Sequence, residues 1–428
     1  MKHKKLRAIL VLIVVSLIIP SLMGIQSLES RNQLFLKETP RIDAAAYNVS
    51  NYQITQSVTY KIEINYTVTQ TSGSALYYFK MPYLNNRTPS SNVTRFCPPY
   101  QESELLYSNV DNSDVIDEYY VDRFNNTYNW FNVTLGPAGS VHFSQEYKVT
   151  LNAISYQNVD SADIGAYDYS DEIFNLYCNN SVQYYNTSDP DLFSLSNNLT
   201  SGITNPIEKA KAIFNWVTTN IAYNGSMPSQ ERGASWAYDN REGDCSEYTD
   251  LMVTLLRIQD IPARKVTGLV LSNTLPFYPL VGQQLSFSWG NVNPQYILGH
   301  AWVEYFVPEI GWIACDPTWG SGYFNNIDYL RLNFNVGQWM KDASGSNSSE
   351  FSNPALSGSG LGAGNCNYDY SLKATVLEAS YYPAILLLYF PPAPPEPDYG
   401  PLIFIGIGAG IAVLLLSLVI VAIKKFKD

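Results

Sequence analysis

An α+β chain is predicted, with an N-terminal antiparallel β-sandwich, a following domain in which helices precede a sheet, and a C-terminal transmembrane helix. From about Tyr47 to Leu151, short segments rich in Tyr, Thr, Val and Phe alternate apolar with polar residues, the period of strands buried on one face. From about Asp189 the apolar spacing becomes that of helices, then returns to strand-like runs before Leu332. Pro401 to Ile423 carries no charge over 23 residues, enough to cross roughly 30 Å of hydrocarbon as a helix rising ~1.5 Å per residue.

Residues 1–27 are expected to be a signal peptide or signal anchor, because the basic head Met1 to Arg7 precedes the apolar run Ala8 to Gly24. The sandwich is placed at 35–155. Its clearest strands are Val58 to Val68 and Ser140 to Thr150, with turns supplied by Gly and Asn at Thr71 to Ser74 and Asn85 to Asn92. The second domain is placed at 189–340. One helix spans Pro206 to Ile221, with Asn205 as its cap and apolar Ala210, Ile213, Phe214 and Val217 on one face. A second starts at about Cys245, presents Tyr248, Leu251, Met252 and Leu255, and stops before Ile261-Pro262. Strands at Arg264 to Leu271, His300 to Phe306 and Gly311 to Asp316 follow. Residues 341–390 read as a Ser/Gly-rich insertion with an accessory strand, Tyr368 to Ala379, and 391–400 as a proline-rich stalk. The membrane helix at 401–423 is followed by Lys424, Lys425 and Lys427, which places the tail, 424–428, in the cytoplasm and the bulk of the chain outside.

Between the two apolar runs lie 19 basic and 37 acidic residues, a strongly negative balance that argues against a nucleic-acid partner. Asn-X-Ser/Thr acceptors recur from Asn48 to Asn347, consistent with an exported, glycosylated surface. Cysteines occur at 97, 178, 245, 315 and 366, an odd number that leaves at least one unpaired within the chain. Cys245 is the candidate free thiol. The other four allow three pairings, Cys97 with Cys178 and Cys315 with Cys366 among them. The absence of a Cys-X-X-Cys pair and the presence of only three histidines argue against a structural zinc site. No cofactor or metal is expected, and the sequence leaves the oligomeric state open.

Cys245 falls where a loop containing Gly243 and Asp244 enters a helix. Unpaired backbone N–H groups and the helix dipole favour a thiolate there. A thiol nucleophile needs a base, and His142 sits in a sandwich strand, which leaves His300. If the strands His300 to Phe306 and Gly311 to Asp316 form a hairpin with the five-residue connection Phe306 to Ile310, then His300 faces Asp316 directly. The carboxylate then fixes the imidazole tautomer.

The four blocks Gly243-Asp-Cys-Ser-Glu-Tyr248, Leu255 to Gly268, Gly299-His-Ala-Trp-Val-Glu-Tyr305 and Gly311-Trp-Ile-Ala-Cys-Asp-Pro-Thr-Trp-Gly320 resemble, in this order, the transglutaminase-like superfamily. The resemblance covers about Asp189 to Leu332. It implies a papain-like fold with a catalytic Cys-His-Asp triad, carried onto Cys245, His300 and Asp316. Asp244, Tyr248, Arg264 and Trp302 match surrounding positions and are read as structural support. Val281 to Pro294 reads as an insertion that shapes substrate access. The Cys245 N–H is the expected oxyanion donor, with Gln230 or Trp236 as second donor. Trp236, Trp312 and Trp319 are otherwise read as core aromatics.

Such a triad forms a thioacyl intermediate from a protein or peptide amide. Water as acceptor makes it a protease or amidase, and a lysine amine makes it a crosslinking transglutaminase. Hydrolysis is the first expectation. A surface binding or adhesion module without catalysis is the alternative from another class.

Overall fold

The computed structural model describes residues 51–90, 96–112, 116–156, 159–178, 184–227, 231–274, 277–292, 299–337, 340–341, 347–348 and 355–381. The signal segment, the stalk, the 401–423 helix and the basic tail lie outside them.

Strand alternation builds the sandwich directly. Strand β1 (Gln53–Gln70) buries Tyr60, Ile62, Ile64, Tyr66 and Val68, every second residue, and β6 (Ser140–Ser155) buries Val141, Phe143, Tyr147 and Val149 the same way. They pair antiparallel from Gln53 with Ser155 to Thr69 with Ser140. Strands β2 (Ala75–Pro82), β4 (Ile116–Val121) and β5 (Thr127–Leu135) belong to the opposing sheet, while β3 (Gln101–Val110) pairs with β6. Phe143 bridges the sheets, its ring centroid 4.8 Å from that of Phe79 on β2 and 4.5 Å from that of Phe131 on β5. Each such buried ring removes enough apolar surface from water to stabilise by roughly 1.5–3 kcal/mol.

The second part begins with helices α1 (Glu172–Tyr177), α2 (Pro190–Leu199), α3 (Pro206–Asn220) and α4 (Ala234–Asn240). Asn205 caps α3 through Oδ1, which accepts the N–H groups of Ile207 and Glu208. The short parallel pair β7 (Ala222–Tyr223) and β8 (Glu242–Gly243) leads into α5 (Cys245–Ile258). Every residue of α5 from Glu247 to Arg257 is buried, as suits a helix enclosed on all sides. It packs on a four-stranded antiparallel sheet of order β12-β11-β9-β14, made from β9 (Ala263–Val270), β11 (Gly299–Val307), β12 (Gly311–Cys315) and β14 (Arg331–Gly337).

The expected fold class is corrected in two respects. Among the described residues strand outweighs helix, 44% against 23%, so they are mostly β rather than balanced α+β. The reason is that later segments return to the first two sheets. Strand β10 (Gln284–Gly290), from the segment read as an insertion, pairs with β18 (Cys366–Ala379), and β18 pairs with β1 from Val58 opposite Ala379 to Gln70 opposite Cys366. Strand β13 (Asn326–Ile327) adds to β6, and β17 (Ala355–Gly358) adds to β2. A minor ladder joins β15 (Met340–Lys341) to β16 (Asn347–Ser348), and a last turn, α6 (Ser359–Gly362), precedes β18. The apolar core is accordingly continuous, with Leu269, Leu332 and Phe334 joining the sandwich residues. Second, among the described residues no helix is long and apolar enough to cross a membrane.

Neither suggested disulfide forms. None of the five cysteines is disulfide-bonded, and Cys97, Cys315 and Cys366 are buried.

Candidate active site

The loop before α5 is built around close contacts. Gly243 lies so near Glu247 that a Cβ would stand 2.3 Å from the Glu247 Cβ. Asp244 caps the helix, its Oδ1 accepting the Ser246 N–H at 2.8 Å, while its own N–H donates to Glu247 Oε2 at 3.1 Å in a reciprocal capping box. Glu247 Oε1 also accepts the Arg232 N–H at 2.9 Å. The Tyr248 hydroxyl donates to the Ile221 carbonyl and ties α5 to the end of α3. These bonds present Cys245 at the first helical position, near enough to β11 for the Ala301 N–H to favour its thiolate.

The hairpin register differs from expectation. Gly311 faces Val307, not Tyr305, because the connection is only Pro308 to Ile310, with Glu309 at φ 64° and Ile310 N–H donating to Val307 O. The difference is two residues, and an even slip leaves every side chain on its own face. His300 and Asp316 therefore meet diagonally rather than directly, and His300 Nε2 lies 2.6 Å from Asp316 Oδ2. His142 is elsewhere, its Nδ1 2.8 Å from Thr67 Oγ1 in the sandwich.

Sequence reading missed Arg331. Its Nη2 donates to Asp316 Oδ2 at 2.8 Å and its Nε at 3.2 Å, while Nη1 pairs with Asp328. A lone arginine between Leu330 and Leu332 at the start of an apolar strand is the available signal, since a charge there needs a buried partner. Trp319, read as a core aromatic, is half-buried and belongs to the site. Its ring lies 6.1 Å from the His300 ring and 4.8 Å from the Arg331 guanidinium. Trp302 stacks on the other side of His300 at 6.2 Å. Trp312 is a core residue, covered by the Arg264 guanidinium at 3.7 Å. Trp236 is half-buried on α4, and Gln230 lies outside the described residues.

Electrostatics separate the two ends of the site. Burial pushes the Cys245 thiol well up, the Asp244 carboxylate adds to this, and the Ala301 N–H and the buried Lys265 ammonium only partly offset it. The dipole at the helix start is thus outweighed by desolvation, and the resting thiol is protonated at neutral pH. Asp244 is itself pushed up to about 6, burial being the main cause. Asp316 goes the other way. Burial favours its neutral form, but His300 and Arg331 together hold it at about 2. Among the described residues no group of three or more His, Cys, Asp or Glu is placed to hold a metal ion.

Comparison with known proteins identifies the segment that carries this arrangement. Residues 194–317 match the sequence pattern of the transglutaminase-like superfamily. The chain carries a transglutaminase-like domain. A protein-glutamine gamma-glutamyltransferase of Pseudomonas aeruginosa is 36% identical over 89 residues, 19% of this chain and 11% of that protein. The Bacillus subtilis protein YebA is 25% identical over 189 residues, 43% of this chain and 24% of that one. The chain thus spans under a quarter of either relative. Among solved structures, a Cytophaga hutchinsonii protein provisionally described as a cysteine protease is 17% identical, with 76% of this chain and 93% of that one covered at a TM-score of 0.45. The periplasmic domain of TgpA from Pseudomonas aeruginosa is 16% identical, with 58% and 88% covered at a TM-score of 0.31. Scores this low do not bear on function.

Proposed function

We propose that the transglutaminase-like domain is a thiol hydrolase of protein or peptide amides, with Cys245 as nucleophile, His300 as base and Asp316 as the orienting carboxylate. The observation that carries this reading is the 2.6 Å contact between His300 Nε2 and Asp316 Oδ2, with Cys245 at the first position of the helix packed on the strand that carries His300. Membership of a superfamily of cysteine hydrolases and acyltransferases supports the class of chemistry.

With Nε2–H donating to the ionised Asp316, the Nδ1 lone pair of His300 is left for the thiol. Cys245 gives its proton to Nδ1 as its sulfur attacks the amide carbon. The resulting oxyanion is met by the Cys245 backbone N–H at the start of α5. Collapse breaks the C–N bond, and the leaving amine takes the proton from Nδ1–H. Water, deprotonated by His300, then attacks the thioester, releasing the acid and restoring the thiol.

Transfer to an amine is the second reading, favoured by the identity with the gamma-glutamyltransferase segment. An extracytoplasmic location belongs to the same proposal, supported by the basic head with its apolar run and by the recurring Asn-X-Ser/Thr acceptors. Surface proteolysis of intact cells checks the location.

The activity is tested by incubating the full chain and its Cys245→Ala variant with an amide substrate library and a labelled amine, followed by mass spectrometry. Cys245-dependent cleavage without amine incorporation is the expected result. Incorporation selects the transferase, and no product from either protein refutes the enzyme.

A further inference from the structure

We propose that Arg331 is a positioning residue for the His300–Asp316 pair: its guanidinium holds Asp316 ionised and aimed at His300 Nε2, and sets the pH at which the pair takes up a proton. The inference rests on the assignment of Cys245, His300 and Asp316 above.

Asp316 is wholly buried, and its two oxygens have unequal work. Among the described residues Oδ1 accepts only the Thr318 N–H, at 3.1 Å. Oδ2 accepts from His300 and from two nitrogens of Arg331 at once. The arginine is fixed in turn. Its side chain is 1% exposed, it packs against the rings of Trp319 at 4.8 Å and Tyr323 at 4.5 Å, and its remaining arm pairs with Asp328, which also accepts the Tyr323 hydroxyl at 2.7 Å. The titratable and charged groups facing the pair are therefore Arg331, Asp328 and Tyr323 on one side and the Cys245 and Cys315 thiols on the other.

Of the cations beside Asp316, only Arg331 is charged at every accessible pH. Removing it leaves a desolvated carboxyl facing an imidazole. The carboxyl then retains its proton and donates to Nε2, which moves the imidazole hydrogen to Nδ1, where it blocks the thiol. Arg331 prevents this tautomer.

The test follows the full chain with ¹³Cε1-labelled histidine by NMR, since only His3, His142 and His300 contribute signals. In Arg331→Met the midpoint at which the His300–Asp316 pair takes up a proton, read at His300 Cε1, should rise by about 1 to 3 pH units, the size of effect one adjacent opposite charge has on a carboxyl. Alkylation of Cys245 by iodoacetamide at neutral pH should fall at least about tenfold, equivalent to one pH unit of midpoint. Arg331→Lys should return the midpoint toward that of the parent chain while recovering only part of the rate, because a point charge keeps the field and loses the fork. A folded Arg331→Met protein with an unmoved midpoint overturns the proposal. Failure of Arg331→Met to fold shifts the test to Asp328→Asn, where the less neutralised guanidinium should lower the midpoint and no movement refutes the proposal. A shifted midpoint in a chain that cleaves no amide refutes the hydrolase and leaves the positioning role standing.

Discussion

Replacing Glu304 by Gln should destabilise the protein by about 3–5 kcal/mol, the cost of removing the anion from a buried pair. Glu304 is wholly buried on β11, directly opposite Arg264 on β9. Its Oε2 accepts from Arg264 Nε at 2.8 Å and lies 2.7 Å from Arg264 Nη2, and its Oε1 pairs with Arg87 Nη2 at 2.5 Å. Burial favours the neutral acid, yet the two guanidinium groups hold the carboxyl below its ordinary range. Both arginines are also buried, so a neutral amide leaves two desolvated cations facing one another. The melting temperature should fall by at least about 6 °C, taking ~2 °C per kcal/mol for a chain of this size. Denaturant unfolding and calorimetry of the single variant measure this. The triple variant Glu304→Leu, Arg87→Met, Arg264→Leu should recover most of the loss, because no charge is then stranded. A Gln variant within about 1 kcal/mol of the parent chain, at the level of an exposed pair, refutes the argument. Because Arg87 comes from the segment between β2 and β3, the same experiment measures how firmly the sandwich holds the strand that carries His300.

Three further outcomes follow from the geometry. Asp122, pushed up to about 6 chiefly by burial, contributes stability that is complete below its unfolded value near 4 and is lost as pH rises through 6. Asp316, held at about 2, contributes ~2.6 kcal/mol above pH ~4 that is lost as pH falls through 2, so thermal stability should peak between about pH 4 and 5; a melting temperature that rises monotonically from pH 3 to 7 contradicts this. Gly243→Ala forces Glu247 out of the capping box, and a displacement of the nucleophile by ~1 Å should reduce Cys245-dependent turnover about 100-fold with the fold retained by circular dichroism; unchanged turnover removes the role given to that contact. Asp244→Asn keeps a good helix cap and removes a negative charge beside the thiol, so the pH midpoint of Cys245 alkylation should fall, and a rise would reverse the assigned sign.

The elements legible in the sequence are those whose signals are local. Helix α3 starts at the Asn205-Pro206 pair and α5 at the capping box of Asp244 and Glu247, and β1 and β6 follow from alternation alone. Cys245, His300 and Asp316 were legible as candidates because each residue type is scarce or oddly placed where it occurs. What stayed hidden depends on partners distant in sequence. Nothing near Cys366 says that β18 will lie beside β1, about 300 residues earlier, and nothing in Gln284 to Gly290 says that it will extend the sandwich. The hairpin was placed with a connection two residues too long, since a positive φ at Glu309 has no compositional mark. The partner of Arg331 was hidden because its place between Leu330 and Leu332 marks only a charge in need of a buried partner, and the fold, not spacing along the chain, brings it to Asp316.

Beside β11 the same physical problem arises twice, and the two solutions explain why one carboxylate is structural and the other suited to chemistry. Glu304 and Asp316 are both wholly buried, and each requires a cation to remain ionised. Glu304 is held between two arginines, neither of which gives up a proton, so its charge is static. Asp316 has one arginine and one imidazole on the same oxygen. Arg331 supplies the permanent charge, which leaves the His300 proton free to respond to what happens on the far side of the ring. What happens there is governed by a thiol that desolvation keeps protonated until substrate arrives. A resting site of neutral thiol and fixed carboxylate leaves the charge separation between sulfur and imidazole to the moment of attack. The arginine therefore matters most at the step where His300 becomes cationic, which is why its loss should appear in a titration midpoint as well as in a rate.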